Sequence, residues 1–296
     1  MSIKNLVVLG SGLIGGSVAK AARQSGVVNK VTVLNRRLET SERAVALGIA
    51  DEGYDYSHLA TVCANLAKGD LVLVAVPVYT YANIFEQLGD MVPAGVILTD
   101  VGSTKAEVVR AARQNWKGDL SYFVPGHPIA GSERSGVEAS DDQLFHQRRT
   151  IITPIPENSA FAIKQVESFW ESLGAEVDTM NVEHHDEILA ATSHLPHLLA
   201  YGLVDSLVTL DQKTEVFRYA AGGFRDFTRI AESDPVMWRD IFLANRDALL
   251  KQLENFEDHL KELHQAIVDG DSRTIETILE RAQAARKVFS ETSPPQ

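Results

Sequence analysis

The sequence predicts an α/β protein: a doubly wound parallel sheet over residues 1–180, followed by an all-helical domain over residues 181–296. Three observations carry this reading. Through the first part, short apolar β-branched runs alternate with helix-length amphipathic segments, the pattern of a parallel sheet covered on both faces. After residue 180 no such run recurs, and the apolar residues fall at helical spacing. The 296 residues are also about twice what a single hydrophobic core serves.

The strands expected in order are Leu6 to Leu9, Val31 to Leu34, Leu71 to Val76, Val96 to Thr99, Tyr122 to Val124 and Thr150 to Thr153. Helical patterns lie between them, the first from Ser17 to Gln24. A helix from Ser159 to Leu173 and a short run near Glu176 to Asp178 complete the first domain. From Val182 to Phe289 the pattern is helical, as in Phe242, Leu249, Leu253, Phe256, Leu260 and Leu263. Pro235 suits the first turn of a helix through Met237 and Trp238, Gly270 and Asp271 separate the last two helices, and Thr292 to Gln296 should fray. So many apolar helical stripes need a covering surface, so a homodimer built on this half is expected.

Composition narrows the function. Hydrophobic residues make up 45% and charged residues 23%, the balance of an ordinary soluble protein. Forty acidic residues against twenty-eight Lys plus Arg give a formal charge of -12, the wrong sign for neutralising phosphate backbones or anionic lipid. Nucleic acid and membrane are therefore not expected partners. No apolar stretch reaches the ~18 residues needed to span a bilayer, and no signal-peptide pattern follows Met1. The lone Cys63 lies in an apolar helical pattern and reads as a buried, inert thiol. A reducing cytoplasm fits best.

Gly10-Ser-Gly12-Leu13-Ile14-Gly15-Gly16 follows the first strand and opens a helix. In that context it reads as a dinucleotide fingerprint, because glycines permit the tight turn and let a pyrophosphate approach backbone N–H groups at a helix N-terminus. Enzymes that use NAD carry an acid at the end of the second strand, where this chain reads Asn35-Arg36-Arg37. Without the carboxylate a 2'-phosphate is not repelled, and a guanidinium can hold it. NADP is the preferred expectation, with NAD open. Val76 and Pro77 end a strand at the sheet's carboxyl edge, where they line the cofactor or simply pack.

Three further segments place polar residues beside Gly or Pro: Thr99 to Lys105, Pro125 to Gly136, and Thr192 to His197. The first two follow expected strands and should point into the nicotinamide crevice. His127, between Gly126 and Pro128, is the candidate general base, since an imidazole near its ordinary pKa of about 6.5 accepts protons at neutral pH. Ser103 is placed to orient it. His194 and His197 are three apart but lack a third ligand, so no metal is expected, and His184 and His185 read as a polar helix start. In Gly222-Gly223-Phe-Arg225-Asp-Phe-Thr-Arg229 the paired glycines interrupt a helix, which lets guanidinium groups face an anion; Arg225 reads as a surface or interface residue.

With these segments in hand, the chain resembles the prephenate/arogenate (cyclohexadienyl) dehydrogenase family of tyrosine biosynthesis over nearly all of residues 5–290. The specific tracts, in order, are Asp100-Val-Gly-Ser103, Gly126-His-Pro-Ile-Ala-Gly131, Ser193-His-Leu-Pro-His197 and Gly223-Phe-Arg-Asp-Phe-Thr-Arg229. The resemblance implies a Rossmann domain, a helical dimerisation domain and oxidative decarboxylation of a cyclohexadienol to an aromatic product. By the same resemblance, His127 withdraws the hydroxyl proton and Ser103 bonds to that histidine. Arg229 would bind a substrate carboxylate, while His197 and Ser193 belong to the substrate pocket. Prephenate is favoured, with arogenate open. Asn35-Arg36 departs from the pattern of NAD users, and the regulatory domain that some members append is not expected here. Two rivals remain. A β-hydroxyacid dehydrogenase shares the domain order, but its lysine is not apparent: Lys213 has no accompanying motif and the next lysine is Lys251. A non-catalytic NADP-sensing protein would leave the His127, His197 and Arg229 segments superfluous.

Overall fold

A computed structural model describes residues 3–131, 134–210 and 213–292. The chain begins β1 (Ile3–Leu9), α1 (Leu13–Gln24), β2 (Val28–Asn35), α2 (Leu38–Ala46), β3 (Glu52–Asp55), α3 (Leu59–Ala64) and β4 (Leu71–Val74). It continues α4 (Tyr81–Leu88), β5 (Ile97–Asp100), α5 (Lys105–Asn115) and β6 (Phe123–Val124). These six strands make one sheet in the order β3-β2-β1-β4-β5-β6, parallel throughout. The order reverses between β1 and β4, the switch point beside whose carboxyl ends open α/β sheets bind their ligands.

The expected strand Thr150 to Thr153 lies elsewhere. Pro125 has no N–H with which to extend a ladder, and after it the chain enters β7 (Gly126–Pro128), which pairs antiparallel with β8 (Arg149–Ile152). Beyond α6 (Ala160–Ser172), β9 (Glu176–Thr179) adds parallel to β8, giving a separate three-stranded sheet. His127 is thus a strand residue opposite Ile151 rather than a loop residue. β3 was not expected: its residues Glu-Gly-Tyr-Asp are half-buried and contain no β-branched side chain. β4 also stops at Val74, short of Val76.

The pleat of the large sheet explains its all-apolar strands. Leu6, Val8, Val31, Val33, Leu71 and Leu73 face one core with Val18 of α1 and Trp170 of α6. Val7, Leu9, Leu34, Val72, Val74 and Leu98 face the other, with Phe85 of α4 and Val108 of α5. Cys63 packs in this second core, and burial pushes its thiol up to about 11, as an inert cysteine requires.

From Val182 the described chain is helical. α7 (Val182–Leu189) runs through a π-helical turn, Ala190–His194, directly into α8 (Leu195–Val208). The Thr192 to His197 tract therefore lies inside a helix instead of beside one. Pro196 cannot donate to the carbonyl four residues back, and the wider turn accommodates that loss. Then come α9 (Lys213–Arg218), α10 (Gly222–Thr228) and α11 (Pro235–Ala244), the last capped by Asp234, which accepts from Val236 and Met237 N–H. α12 (Arg246–Asp269) and α13 (Ser272–Thr292) are separated at Gly270, whose φ of 65° suits glycine.

The chain divides into two compact units, Met1–Arg246 and Asp247–Gln296. The second exposes Leu260, Ile267, Val268 and Leu279 on its two long helices. Of the tail Thr292 to Gln296 expected to fray, Thr292 ends α13 and 293–296 lie outside the described residues, as do Ser132 and Glu133 of the His127 segment. Among the described residues no helix is long and apolar enough to cross a membrane.

Candidate active site

The glycine turn closes on itself. Gly10 has φ 96°, and a Cβ there would sit 2.3 Å from the Ala75 carbonyl oxygen, while one on Gly15 would meet the Gly10 carbonyl at 2.0 Å. At Gly12 a Cβ would meet nothing within 4 Å. Gly12 is also the N-cap of α1 and supplies no side-chain cap, so the first-turn N–H groups are left uncapped. This cradle fits a dinucleotide pyrophosphate. Leu13 and Ile14 form the first helical positions behind it, half-buried.

Asn35 has a different part from the one its position suggests. Buried at the end of β2, its Oδ1 accepts from Ser11 N–H at 2.8 Å, and its Nδ2 donates to Ser11 Oγ and Ser41 Oγ, each at 2.8 Å. Both amide protons are thus committed to holding the glycine turn against α2. Arg36 and Arg37 are exposed just beyond it. At the neighbouring strand end Val76 is half-buried against the second core and Pro77 is exposed.

One buried ion pair ties β5, α5 and β7 together. Lys105 Nζ donates at 2.6 Å to Asp100 Oδ2 and at 2.6 Å to the Gly126 carbonyl, and both side chains are fully buried. Asp100 also accepts from Gly102 N–H and Gly126 N–H. The peptide groups leading into His127 are therefore held from two sides. Burial pushes the Lys105 ammonium below its ordinary value, although Asp100 opposes the shift.

His127 is buried, and its Nδ1 lies 2.9 Å from His185 Nε2. Among the described residues the Nδ1 bond of this ring goes to His185 on α7, while Ser103, expected to orient the ring, sits half-buried in the turn before α5. His185 Nδ1 is in turn 2.7 Å from Asp186 Oδ1. Asp186 also accepts from Lys105 N–H and Ala106 N–H, so it caps the α5 N-terminus as well. Burial acts to raise the Asp186 carboxyl, but the bonds from His185 and these two amides outweigh it and hold the group below its ordinary value. Burial, His185, Lys105 and His194 together push His127 well below 6.5, a larger departure than its sequence setting suggested.

In the sequence His184 and His185 read as a polar helix start, and Asp186 is not singled out. Asn181 is the actual N-cap, accepting from His184 N–H at 2.7 Å. The signal was present in the spacing, because the buried residues of α7 are Val182, His185, Asp186 and Leu189, an inward helical stripe with two polar members.

The second wall comes from the π turn, α8 and α11. Asn245 Nδ2 donates to the Asp186 carbonyl at 2.8 Å and lies 3.0 Å from His194 Nδ1, which gives His194 its proton on Nε2. Burial brings His194 down to about 4, so it is neutral at pH 7. His197 donates from Nδ1 to the Ser193 carbonyl at 2.8 Å and stacks on Trp238 with ring centroids 3.5 Å apart. Burial lowers the His197 pKa, and the Arg229 charge acts in the same direction. Arg229 itself is exposed at the end of α10. Trp238, Asn245, Lys105 and Asp100 join the expected residues here.

The chain matches known proteins along nearly its whole length. The family model for the prephenate dehydrogenase nucleotide-binding domain matches residues 18–179, and that for the prephenate dehydrogenase dimerization domain matches residues 181–281. A cyclohexadienyl dehydrogenase of Zymomonas mobilis is 35% identical over 285 residues, covering 96% of this chain and 95% of its own. The crystal structure of prephenate dehydrogenase from A. aeolicus, in complex with hydroxyphenyl propionate and NAD+, is 36% identical. It superposes with a TM-score of 0.88 over 98% of this chain and 99% of that one. Synechocystis arogenate dehydrogenase is 27% identical, with a TM-score of 0.80 over 96% and 99%. With both of its parts matched in order, and with these relatives aligned almost end to end, the chain belongs to the prephenate dehydrogenase family.

Proposed function

We propose that this chain oxidatively decarboxylates prephenate to 4-hydroxyphenylpyruvate, with arogenate as the alternative substrate, and passes the hydride to a nicotinamide dinucleotide. The observation that carries this reading is His127. It is a buried, neutral imidazole in β7, and the Asp100–Lys105 pair ties the adjoining Gly126 to the carboxyl end of β5, in the sheet that also carries the uncapped glycine turn. Gly10, Gly12, Leu13, Ile14 and Gly15 would hold the pyrophosphate, and Val76 and Pro77 would border the nicotinamide half. When bound, that ring accepts the hydride leaving the substrate's hydroxyl-bearing carbon.

His127 withdraws the hydroxyl proton as the hydride departs. The electron pair of the ring–carboxylate bond then enters the ring, carbon dioxide leaves, and the proton returns from His127 to the phenolic oxygen. Aromatisation supplies the driving force, so the protein's task is to orient the substrate and polarise one hydroxyl. Ser103, Ser193 and His197 line the substrate, and Arg229 pairs with one of its carboxylates. Reduced nicotinamide formation should be seen with prephenate and with arogenate, and the ratio of their kcat/KM values ranks the two. No turnover of either would refute the proposal.

Arg229→Ala should raise the KM for prephenate by about tenfold to a hundredfold, the worth of one charge-assisted bond, with a smaller fall in kcat. An unchanged KM would remove Arg229 from the carboxylate site. NADP is the proposed preferred cofactor, since Asn35 brings no charge against a 2'-phosphate and Arg36 is exposed beside it. Arg36→Ala should raise the KM for NADP by about tenfold and leave that for NAD nearly constant. A wild-type kcat/KM that favours NAD would contradict this assignment.

The division of labour follows the same lines: residues 1–180 bind the dinucleotide, and residues 181–296 complete the substrate site and pair two protomers. Leu260, Ile267, Val268 and Leu279 supply apolar surface for pairing. Light scattering should report twice the 32.4 kDa chain mass. A monomer at micromolar concentration would count against it.

A further inference from the structure

The proton positions in the site can be worked out from the acceptor end. Asp186 accepts two backbone N–H bonds and caps a helix, so it is ionised and only accepts. His185 Nδ1, 2.7 Å away, must therefore carry a hydrogen. In the neutral ring that leaves His185 Nε2 as an acceptor, and His127 Nδ1 at 2.9 Å must donate to it. His127 is then the Nδ1–H tautomer, with its lone pair on Nε2. We infer that His185 and Asp186 are positioning residues for the reaction, which hold His127 as the tautomer whose Nε2 can accept the substrate's hydroxyl proton.

The arrangement has a second consequence. When Nε2 takes that proton, the His127 ring becomes a cation whose Nδ1–H bond runs through His185 to a carboxylate. Other charged groups facing His127 are Lys105 of the Asp100–Lys105 pair, and His194 lies on the π turn. Lys105 and the neighbouring histidines disfavour the cation, while Asp186 is the anion aligned with it through His185. The proton acquired at Nε2 returns to the phenolic oxygen, so the chain of bonds starts each turnover unchanged. Ser193, Ser103 and the glycine turn take no part in this relay.

This inference rests on the proposed dehydrogenase reading, and its test separates the two. In holoenzyme labelled with 15N-histidine, the His127 ring is assigned by comparison with His127→Gln. Its Nδ1 should be the protonated nitrogen and its Nε2 the unprotonated one at pH 7, whatever substrate the protein turns over. An Nε2–H tautomer would overturn the inference. In steady state, His185→Phe keeps a planar ring but removes the acceptor. It should lower kcat at least about a hundredfold with prephenate KM within about threefold, because losing the correct tautomer of a catalytic histidine is costly. His185→Gln, which retains an acceptor, should recover about tenfold of that loss. Wild-type kcat in His185→Phe would also overturn it. Failure of wild-type enzyme to oxidise either prephenate or arogenate, with the Nδ1–H tautomer observed, would refute the function and uphold the positioning.

Discussion

His127→Ala is expected to lower kcat by about 10²- to 10⁴-fold, the usual contribution of a positioned base, while prephenate KM stays within a few-fold. The base acts as the hydroxyl proton is lost, so its contribution belongs to the transition state and not to ground-state binding. The pH profile adds a sign. A histidine whose pKa is depressed remains an unprotonated base down to a lower pH than an ordinary imidazole does. Burial and the surrounding His185, Lys105 and His194 depress this one, so the acid limb of wild-type kcat/KM should lie below pH 6.5. The variant should lack that limb. Wild-type kcat in His127→Ala, or an unaltered acid limb, would show that another group is the base.

Lys105→Met should cost about 3–5 kcal/mol of stability, because removing one partner of a buried ion pair leaves the other charge uncompensated. Asp100 would keep its bonds from Gly102 N–H and Gly126 N–H but lose the ammonium at 2.6 Å, and the Gly126 carbonyl would lose its donor. Equilibrium urea unfolding at fixed protein concentration measures the change. Adding Asp100→Asn should restore part of the loss by removing the stranded charge. A single-variant loss below about 1 kcal/mol would mean that the pair contributes little and that β7 is anchored by other contacts.

Much of the fold could be read directly, because the strands of the large sheet are buried on both faces and leave unbroken runs such as Leu71 to Val74. The glycine turn was legible for a related reason: at Gly10 and Gly15 backbone oxygens occupy the space a side chain would need. β3 was not legible, since a half-buried Glu-Gly-Tyr-Asp edge carries no apolar run. The placement of Thr150 to Thr153 in its own sheet depends on the chain turning at Pro125, and strand pairing over that distance leaves no local pattern.

The site divides in the same way. His127 and the Ser193 to His197 tract stand out by their Gly and Pro neighbours. The partners of His127 do not, because they come from α7 some 58 positions along the chain and look locally like helix-start polar residues. Only the stripe Val182, His185, Asp186 and Leu189 shows that two polar residues turn inward. Asn35 misled in the opposite direction. Its position at the end of β2 suggests direct cofactor contact, whereas its amide protons hold Ser11 and Ser41. The case for NADP therefore rests on Arg36 and on the missing carboxylate.

Oxidation and loss of the ring carboxylate are one coupled event in this account, and labelled substrate tests that coupling most directly. Prephenate carrying 13C in the ring carboxylate is incubated with enzyme and NADP, and reduced nicotinamide and labelled carbon dioxide are quantified together. Equimolar appearance of the two, with 4-hydroxyphenylpyruvate as the product, is the predicted result. Reduced nicotinamide formed without labelled carbon dioxide, as simple oxidation of a hydroxy acid would give, would contradict it.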